Sequence, residues 1–343
     1  MITVFSKKHS LHFGQYELID GQFVTPFECP KRMDIIMERI AEAKLGKIIE
    51  PREFGIEPIA RVHTHDFIEF MHTAHANWKQ RHGDTDALPI CWPNRTLRQM
   101  LPEDIDGQLS YYSFDAGTPI TAGTWPAITT SVDVALTGAD LIQHGQQSVF
   151  SACRPPGHHA ASDVYGGYCF FNNAAIAAQA LLDKGADRVA LLDVDYHHGN
   201  GSQSIFYDRA DVFYLSLHGD PRQEFPYFLG YAEETGIKSG EGFNRNFPMP
   251  WGTQWDDYRL SLAQALAQIH NYAPDMLVIS LGVDTFEKDP ISRFELKSDH
   301  FLELGSKIAQ KFRGPSLFIM EGGYAVDEVG INVVNLLNGY LNG

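Results

Sequence analysis

The chain has 343 residues, 44% of them hydrophobic, which suffices for an ordinary core, and no run long or apolar enough to span a membrane. Its 27 basic and 43 acidic side chains leave a formal charge of −16, which disfavours nucleic acid and anionic membranes as partners and suits either a cationic ligand or plain solubility. The four cysteines (Cys29, Cys91, Cys153, Cys169) lack CxxC spacing, and Met1 to Phe5 lack a basic region followed by a long apolar run, so a reduced cytoplasmic protein is expected.

In chain order, Ile2 to Ser6 reads as a first strand, followed by a loop that carries Glu17. Pro30 opens an amphipathic helix with Met33, Ile36, Met37 and Ile40 at helical spacing, and Gly46 ends it. Ile48-Ile49 is a candidate edge strand. Arg61 to Lys79 reads as a helix with His65, His72 and His75 on one face, but no carboxylate or cysteine accompanies them as metal ligands would require. Residues 80–106 carry Gly83, Pro89, Pro93 and Pro102 and no periodicity, so a long inserted loop is expected there, shaping an entrance or a subunit contact. A helix follows Pro126 and runs to Gly145. Strands are then expected at Ser148 to Cys153, Val189 to Val194, Val212 to Leu217, Met276 to Leu281 and Ser316 to Met320. The helices between them fall after Asn172, near Asp256 to Tyr272, from Ser298 as N-cap to Phe312, and from about Val326 to Leu341. This alternation, with no linker composition, predicts a single α/β domain over residues 1–343, a mostly parallel sheet of about eight strands with helices on both faces.

Ligands of such sheets lie beyond the carboxyl ends of the strands. Polar residues gather at those places: His158 and His159, then Asp195 and His197, then Asp284, then Glu321-Gly322-Gly323-Tyr324. Acids ending an apolar strand are expensive to desolvate unless paired, and a divalent metal is the usual partner of an Asp-x-His cluster. In an extended segment Asp195 and His197 share one face and can reach one ion. A helix start capped by ordinary side chains is the bland alternative.

The segments Arg154-Pro155-Pro156-Gly157-His158-His159, Gly166 to Asn173, Asp193 to Gly201, Ser280 to Asp284 and Glu321 to Tyr324 resemble the signatures of the histone deacetylase family, within it most closely the bacterial acetylpolyamine amidohydrolase branch. The resemblance implies an arginase/deacetylase-like fold and hydrolytic removal of an acetyl group from acetylated polyamines or related small amines by water activated at a metal. It implies Asp195, His197 and Asp284 as ligands of one Zn²⁺; whether Fe²⁺ takes its place in the cell is left open by the sequence. His159 would take the proton of the attacking water, His158 would stay an electrostatic neighbour, and Tyr324 would donate to the oxyanion from a loop that its glycines let move. Asp193 and Asn200 would orient the two histidines; many relatives have Asp at the latter position. Gly167 would offer its carbonyl to the leaving amide N–H, Tyr168 and Phe225 would flank an aliphatic linker, and Glu17 and Asp106 would read a free amine. Two structural potassium sites are implied, one at Asp193, Asp195, His197, Ser216 and Leu217, the other at Phe206, Arg209, Val212 and Phe243, together with a homodimer formed through residues 80–106.

Three rival readings differ in their sequence demands. A two-manganese ureohydrolase needs Asp-x-His-x-Asp and Asp-x-Asp, whereas Asp284 is followed by Thr285-Phe286. A non-catalytic binder of acetylated ligands would have lost Tyr324 or a histidine. Deacetylation of acetyl-lysine in proteins, or of other small N-acyl amines, needs the same floor and a different entrance.

Overall fold

The computed structural model describes residues 1–19 and 21–343. Its strands are β1 (Ile2–Val4), β2 (Glu17–Ile19), β3 (Gln22–Val24), β4 (Ile48–Ile49), β5 (Ser148–Ser151), β6 (Val189–Asp193), β7 (Val212–Gly219), β8 (Asn244–Met249), β9 (Met276–Leu281) and β10 (Ser316–Met320). The helices are α1 (Pro30–Glu42), α2 (Glu57–Ala60), α3 (His65–His82), α4 (Ile105–Tyr112), α5 (Thr124–Gln143), α6 (Asn173–Asp183), α7 (Asn200–Phe206), α8 (Trp255–Tyr272), α9 (Ser298–Lys311) and α10 (Val329–Asn342). Eight strands form one sheet in the order β4-β1-β5-β10-β9-β6-β7-β8, with every pairing parallel, and β2 and β3 make a separate antiparallel hairpin.

The parallel strands are buried on both faces, which is why they read as continuous apolar runs. Their alternate side chains divide between two cores. Ala190, Leu192 and Ile279 pack with α1, α8, α9 and α10, while Val189, Leu191 and Val278 pack with α5 and α6 on the other side. A third cluster joins α2, α3 and α4 to the outer face of α5 and α6, and it carries the inserted segment.

The structure corrects several sequence expectations. The helix expected over 61–79 starts later and runs further, as α3 from His65 to His82; residues 61–64 stay outside it, where His63 Nε2 accepts the Asn172 amide. The inserted loop shrinks to 83–104, since α3 runs on to His82 and α4 starts at Ile105. Lys297, not Ser298, is the N-cap of α9, and α10 begins at Val329. Glu17 lies in a strand of the hairpin rather than in a loop. β8, interrupted by Pro248 and short of apolar residues, had no visible signal.

Candidate active site

β5, β10, β9 and β6 are consecutive neighbours, and their ladders are level: Asp193 pairs with Ser280, and Met320 with Leu281. The chain segments leaving these four strands therefore meet above one sheet edge. Asp195, His197 and Asp284 are buried there, with one ligand atom from each lying within 4.8 Å of the others. His197 Nδ1 stands 2.9 Å from Asp284 Oδ2 and 3.5 Å from Asp195 Oδ1. Backbone amides aim the carboxylates: Tyr196 N–H donates to Asp284 Oδ1 (2.8 Å), and Gly322 N–H to Asp195 Oδ2 (2.8 Å).

The electrostatics of this cluster are those of a site built for a cation. Burial together with the Asp195 charge pushes Asp284 up to about 8. Asp195 moves the other way, because His158 and His197 outweigh its burial and hold it far below the usual carboxylate range. Two desolvated carboxylates and one imidazole, converging on one point, balance a divalent ion of the zinc type. The three residues could hold such a metal. His65, His72 and His75 form no comparable cluster among the described residues, and His72 packs on Trp125.

The tandem histidines beside the cluster are driven to opposite charge states. His158 Nδ1 lies 3.0 Å from Asp193 Oδ2, which also accepts from the Tyr214 hydroxyl at 3.0 Å. Burial disfavours its charge, but the carboxylates of Asp195 and Asp193 prevail and raise it to about 10. His159 Nδ1 lies 2.7 Å from Asn200 Oδ1, whose amide Nδ2 donates to the His159 carbonyl (3.3 Å). Asn200 thus presents its oxygen, so Nδ1 carries the proton and Nε2 is left as the basic nitrogen. Burial, then the charges of His158 and His197, hold His159 well below its ordinary pKa. Of the pair only His159 lines the cleft above the cluster. Glu321 Oε2 fixes the turn from beneath by accepting from Gly157 N–H (2.7 Å) and His158 N–H (3.2 Å).

The cleft has a volume of about 530 Å³, with Tyr168, Phe225 and Tyr324 on its walls. Tyr168 takes a positive φ of 64° and meets Tyr324 edge to face at 5.6 Å. Gly167 lines the cleft beside it, and a Cβ there would strike the His159 ring. The glycines before Tyr324 also serve packing. A Cβ on Gly322 would lie 2.6 Å from Asp195 Oδ2 and 2.8 Å from Asp284 Oδ2, so only glycine lets the tyrosine segment pass over the ligand cluster.

Of the two acids expected to read an amine, the structure brings one to the cleft. Glu17 lines it from the hairpin, wholly buried, with Oε1 accepting the Phe27 amide (2.9 Å), and burial raises its pKa. Asp106 does not line it: in the first turn of α4 it faces α3 and pairs with His82 Nε2 at 2.9 Å. The positions expected to hold potassium fall at the carboxyl ends of β6 and β7, where Asp193 and Ser216 are ladder partners, and around the end of α7. In the second group the Phe206 and Phe243 carbonyls already accept the amides of Arg209 (3.0 Å) and Tyr214 (3.1 Å).

Sequence reasoning missed several residues of the site. Asp115 accepts the Gly167 amide, and Glu224 on the opposite wall accepts from the Tyr196 hydroxyl (2.5 Å) and from Trp251 Nε1 (3.0 Å). Arg32 donates to the Gly323 (2.6 Å) and Glu321 (2.8 Å) carbonyls and stacks on the Tyr324 ring at 4.6 Å. Asp289 accepts the Tyr324 amide at 2.6 Å. An arginine beside the apolar stripe of α1 was the one available signal, since the other three are ordinary loop acids in sequence.

The histone deacetylase domain matches residues 26–340, and the chain belongs to the histone deacetylase family. It is 57% identical over 340 residues to acetylpolyamine amidohydrolase 2 of Pseudomonas aeruginosa, covering 99% of this chain and 98% of that one. The acetylpolyamine amidohydrolase of Mycoplana ramosa is 47% identical over 339 residues, 99% of either chain. A crystal structure of the acetylpolyamine aminohydrolase from Burkholderia pseudomallei superposes with a TM-score of 0.93 at 36% identity, over 99% of this chain and 98% of that one.

Proposed function

We propose that this protein is a zinc-dependent deacetylase that hydrolyses the acetyl amide of acetylated polyamines or related small amines. The observation that carries this reading is the placement of a neutral histidine, His159, and a buried tyrosine, Tyr324, around the Asp195/His197/Asp284 cluster in a cleft lined by aromatic residues. When bound by the cluster, Zn²⁺, or Fe²⁺ in its place, supplies Lewis acidity that polarises an amide carbonyl and makes water acidic at neutral pH.

The residues of the chain perform the remaining work. His159 Nε2 takes the proton from the attacking water as the new C–O bond forms, and returns it to the amine nitrogen as the C–N bond breaks, releasing acetate and the free amine. His158, held protonated by the Asp195 and Asp193 carboxylates, stays an electrostatic neighbour that helps burial keep His159 neutral. The Tyr324 hydroxyl, whose pKa burial drives far up, remains a proton-bearing donor to the carbonyl oxygen as negative charge develops there. The Gly167 carbonyl accepts the substrate N–H, Tyr168 and Phe225 clasp the aliphatic chain, and Glu17 attracts the distal ammonium.

Substrate choice rests on the names of the relatives and on an acid, Glu17, among the aromatic residues that line the cleft. Acetyl-lysine in a peptide is the competing substrate, and the two are separated by kcat/KM on acetylputrescine against an acetyl-lysine peptide; a preference for the peptide would overturn the polyamine reading. The proposal also includes a homodimer through the inserted segment, supported by Ile90 (72% exposed), Leu97 and Met100 (55% each) on its surface. It further includes potassium at the two groups named above and a cytoplasmic location. Among the described residues no helix is long and apolar enough to cross a membrane.

A further inference from the structure

The loop after the third expected ligand holds an acid that none of the chemistry above uses. Asp289 lies five positions beyond Asp284 and is buried, 8% exposed. Its carboxylate collects three backbone N–H groups from two segments. Oδ2 accepts from Tyr324 (2.6 Å) and Ala325 (3.3 Å), and Oδ1 from Ile291 (3.1 Å). Pro290, Ile291 and Tyr324 all line the cleft, so a single side chain ties together two chain segments of its lining. Arg32 grips the carbonyls of the same tyrosine segment from the other side.

We propose that Asp289 is the positioning residue that sets the Tyr324 hydroxyl for reaction, an inference that rests on the donor role proposed for that hydroxyl. A carboxylate is required because all three contacts are donors. An amide of the same shape has one acceptor oxygen and would turn its NH₂ towards at least one N–H, leaving that group buried and unpaired. The tyrosine segment would then relax on one side while Arg32 still held the other, moving the hydroxyl without emptying the cleft. Displacements of about an ångström at reacting groups can cost on the order of 10²-fold in rate.

The test is a double-mutant cycle of Asp289→Asn with Tyr324→Phe, reading kcat, KM, bound metal and melting temperature. Asp289→Asn is expected to lower kcat by about 10- to 10²-fold with metal content retained and KM changed far less. In the Tyr324→Phe background the same substitution is expected to cost no more than about twofold, because the group it positions is already gone. Losses that multiply in full, or a wild-type kcat in Asp289→Asn, would overturn the proposal. Tyr324→Phe alone separates the two readings: an unchanged rate removes the role of the hydroxyl, whereas a large loss with a multiplicative cycle removes only that of Asp289. Should Asp289→Asn not fold, amide hydrogen exchange on the native enzyme reads the contact directly. The Tyr324 and Ala325 amides are expected to be strongly protected, and exchange at free-loop rates would reject it.

Discussion

The floor of the cleft and its rim are built by opposite means. On the floor, Asp193, Asp195, Asp284 and Glu321 are all but inaccessible to water, and backbone amides or hydroxyls meet their carboxylate oxygens. The rim includes the β2–β3 hairpin and the loop after β7, where Phe23 (69% exposed) and Phe228 (88%) stand in solvent, as does Ile90 in the 83–104 segment outside the cleft lining. A buried polar network tolerates little change because each member's loss leaves another unpaired, whereas exposed segments can vary freely. Under the function proposed above, the reaction belongs to the sheet edge and the choice of substrate and partner to the loops.

The largest expected effect is on the floor. Asp195→Ala or Asp284→Ala should abolish both metal retention and turnover, since the remaining ligands would sit underfilled with unbalanced charge; full metal occupancy at normal rate in either variant would end the assignment. Next, Tyr324→Phe should keep the metal and lose roughly 10²- to 10³-fold in kcat, and His159→Ala at least as much. A His159→Ala enzyme near the wild-type rate would send the search for a base elsewhere.

On the rim the effects should be smaller and selective. Glu17→Gln is expected to raise KM for a charged acetyldiamine by about tenfold, the worth of a charge-assisted contact, while a neutral acetamide of equal length is almost unaffected. Because Glu17 is buried, added salt should weaken that preference only slightly. Equal losses on both substrates would make Glu17 a support of the hairpin. Deleting about residues 83–99 should yield a monomer with kcat for small substrates nearly retained; a dimer on sizing would break the link between insertion and assembly.

The smallest effect is on stability and sharpens the claim that the buried polar network tolerates little change. His63 accepts the Asn172 amide at the head of α6, directly behind the tandem histidines, and burial lowers it to about 4. Its folded pKa lies below the unfolded value, so the unfolded chain binds the extra proton: stability is full above about pH 6.5 and declines as the pH falls towards 4. Between pH 8 and pH 5 this one residue should remove about 2 kcal/mol, measured by urea unfolding, and His63→Gln should flatten that part of the profile. An identical slope in the variant would assign the acid sensitivity to other buried groups.

The fold was legible because its signals are local. Continuous apolar runs such as Val189 to Leu192 cannot be amphipathic surface elements, and their alternation with helices leaves few arrangements other than a parallel sheet. Pro248 and the polar residues of β8 lack that signal, and only pairing with β7 makes the segment a strand. Asp195, His197, Asp284 and the tandem histidines could be picked out because an acid or histidine directly after a buried strand has one place to go.

What the sequence determined by itself is therefore the set of groups at the strand ends, since covalent order delivers them to one sheet edge whatever the loops do. Tertiary structure alone decided how they are tuned and braced. Opposite charge states for the adjacent His158 and His159 arise because the Asp195 and Asp193 carboxylates raise the first, while burial and the charges of His158 and His197 lower the second. Asp289 and Arg32 grip Tyr324 across 35 and, through Gly323, 291 positions. The same closure turned Asp106 towards His82 and brought Glu17 into the cleft. Desolvation and hydrogen-bond geometry depend on which segments meet in space, and no spacing along the chain encodes that meeting.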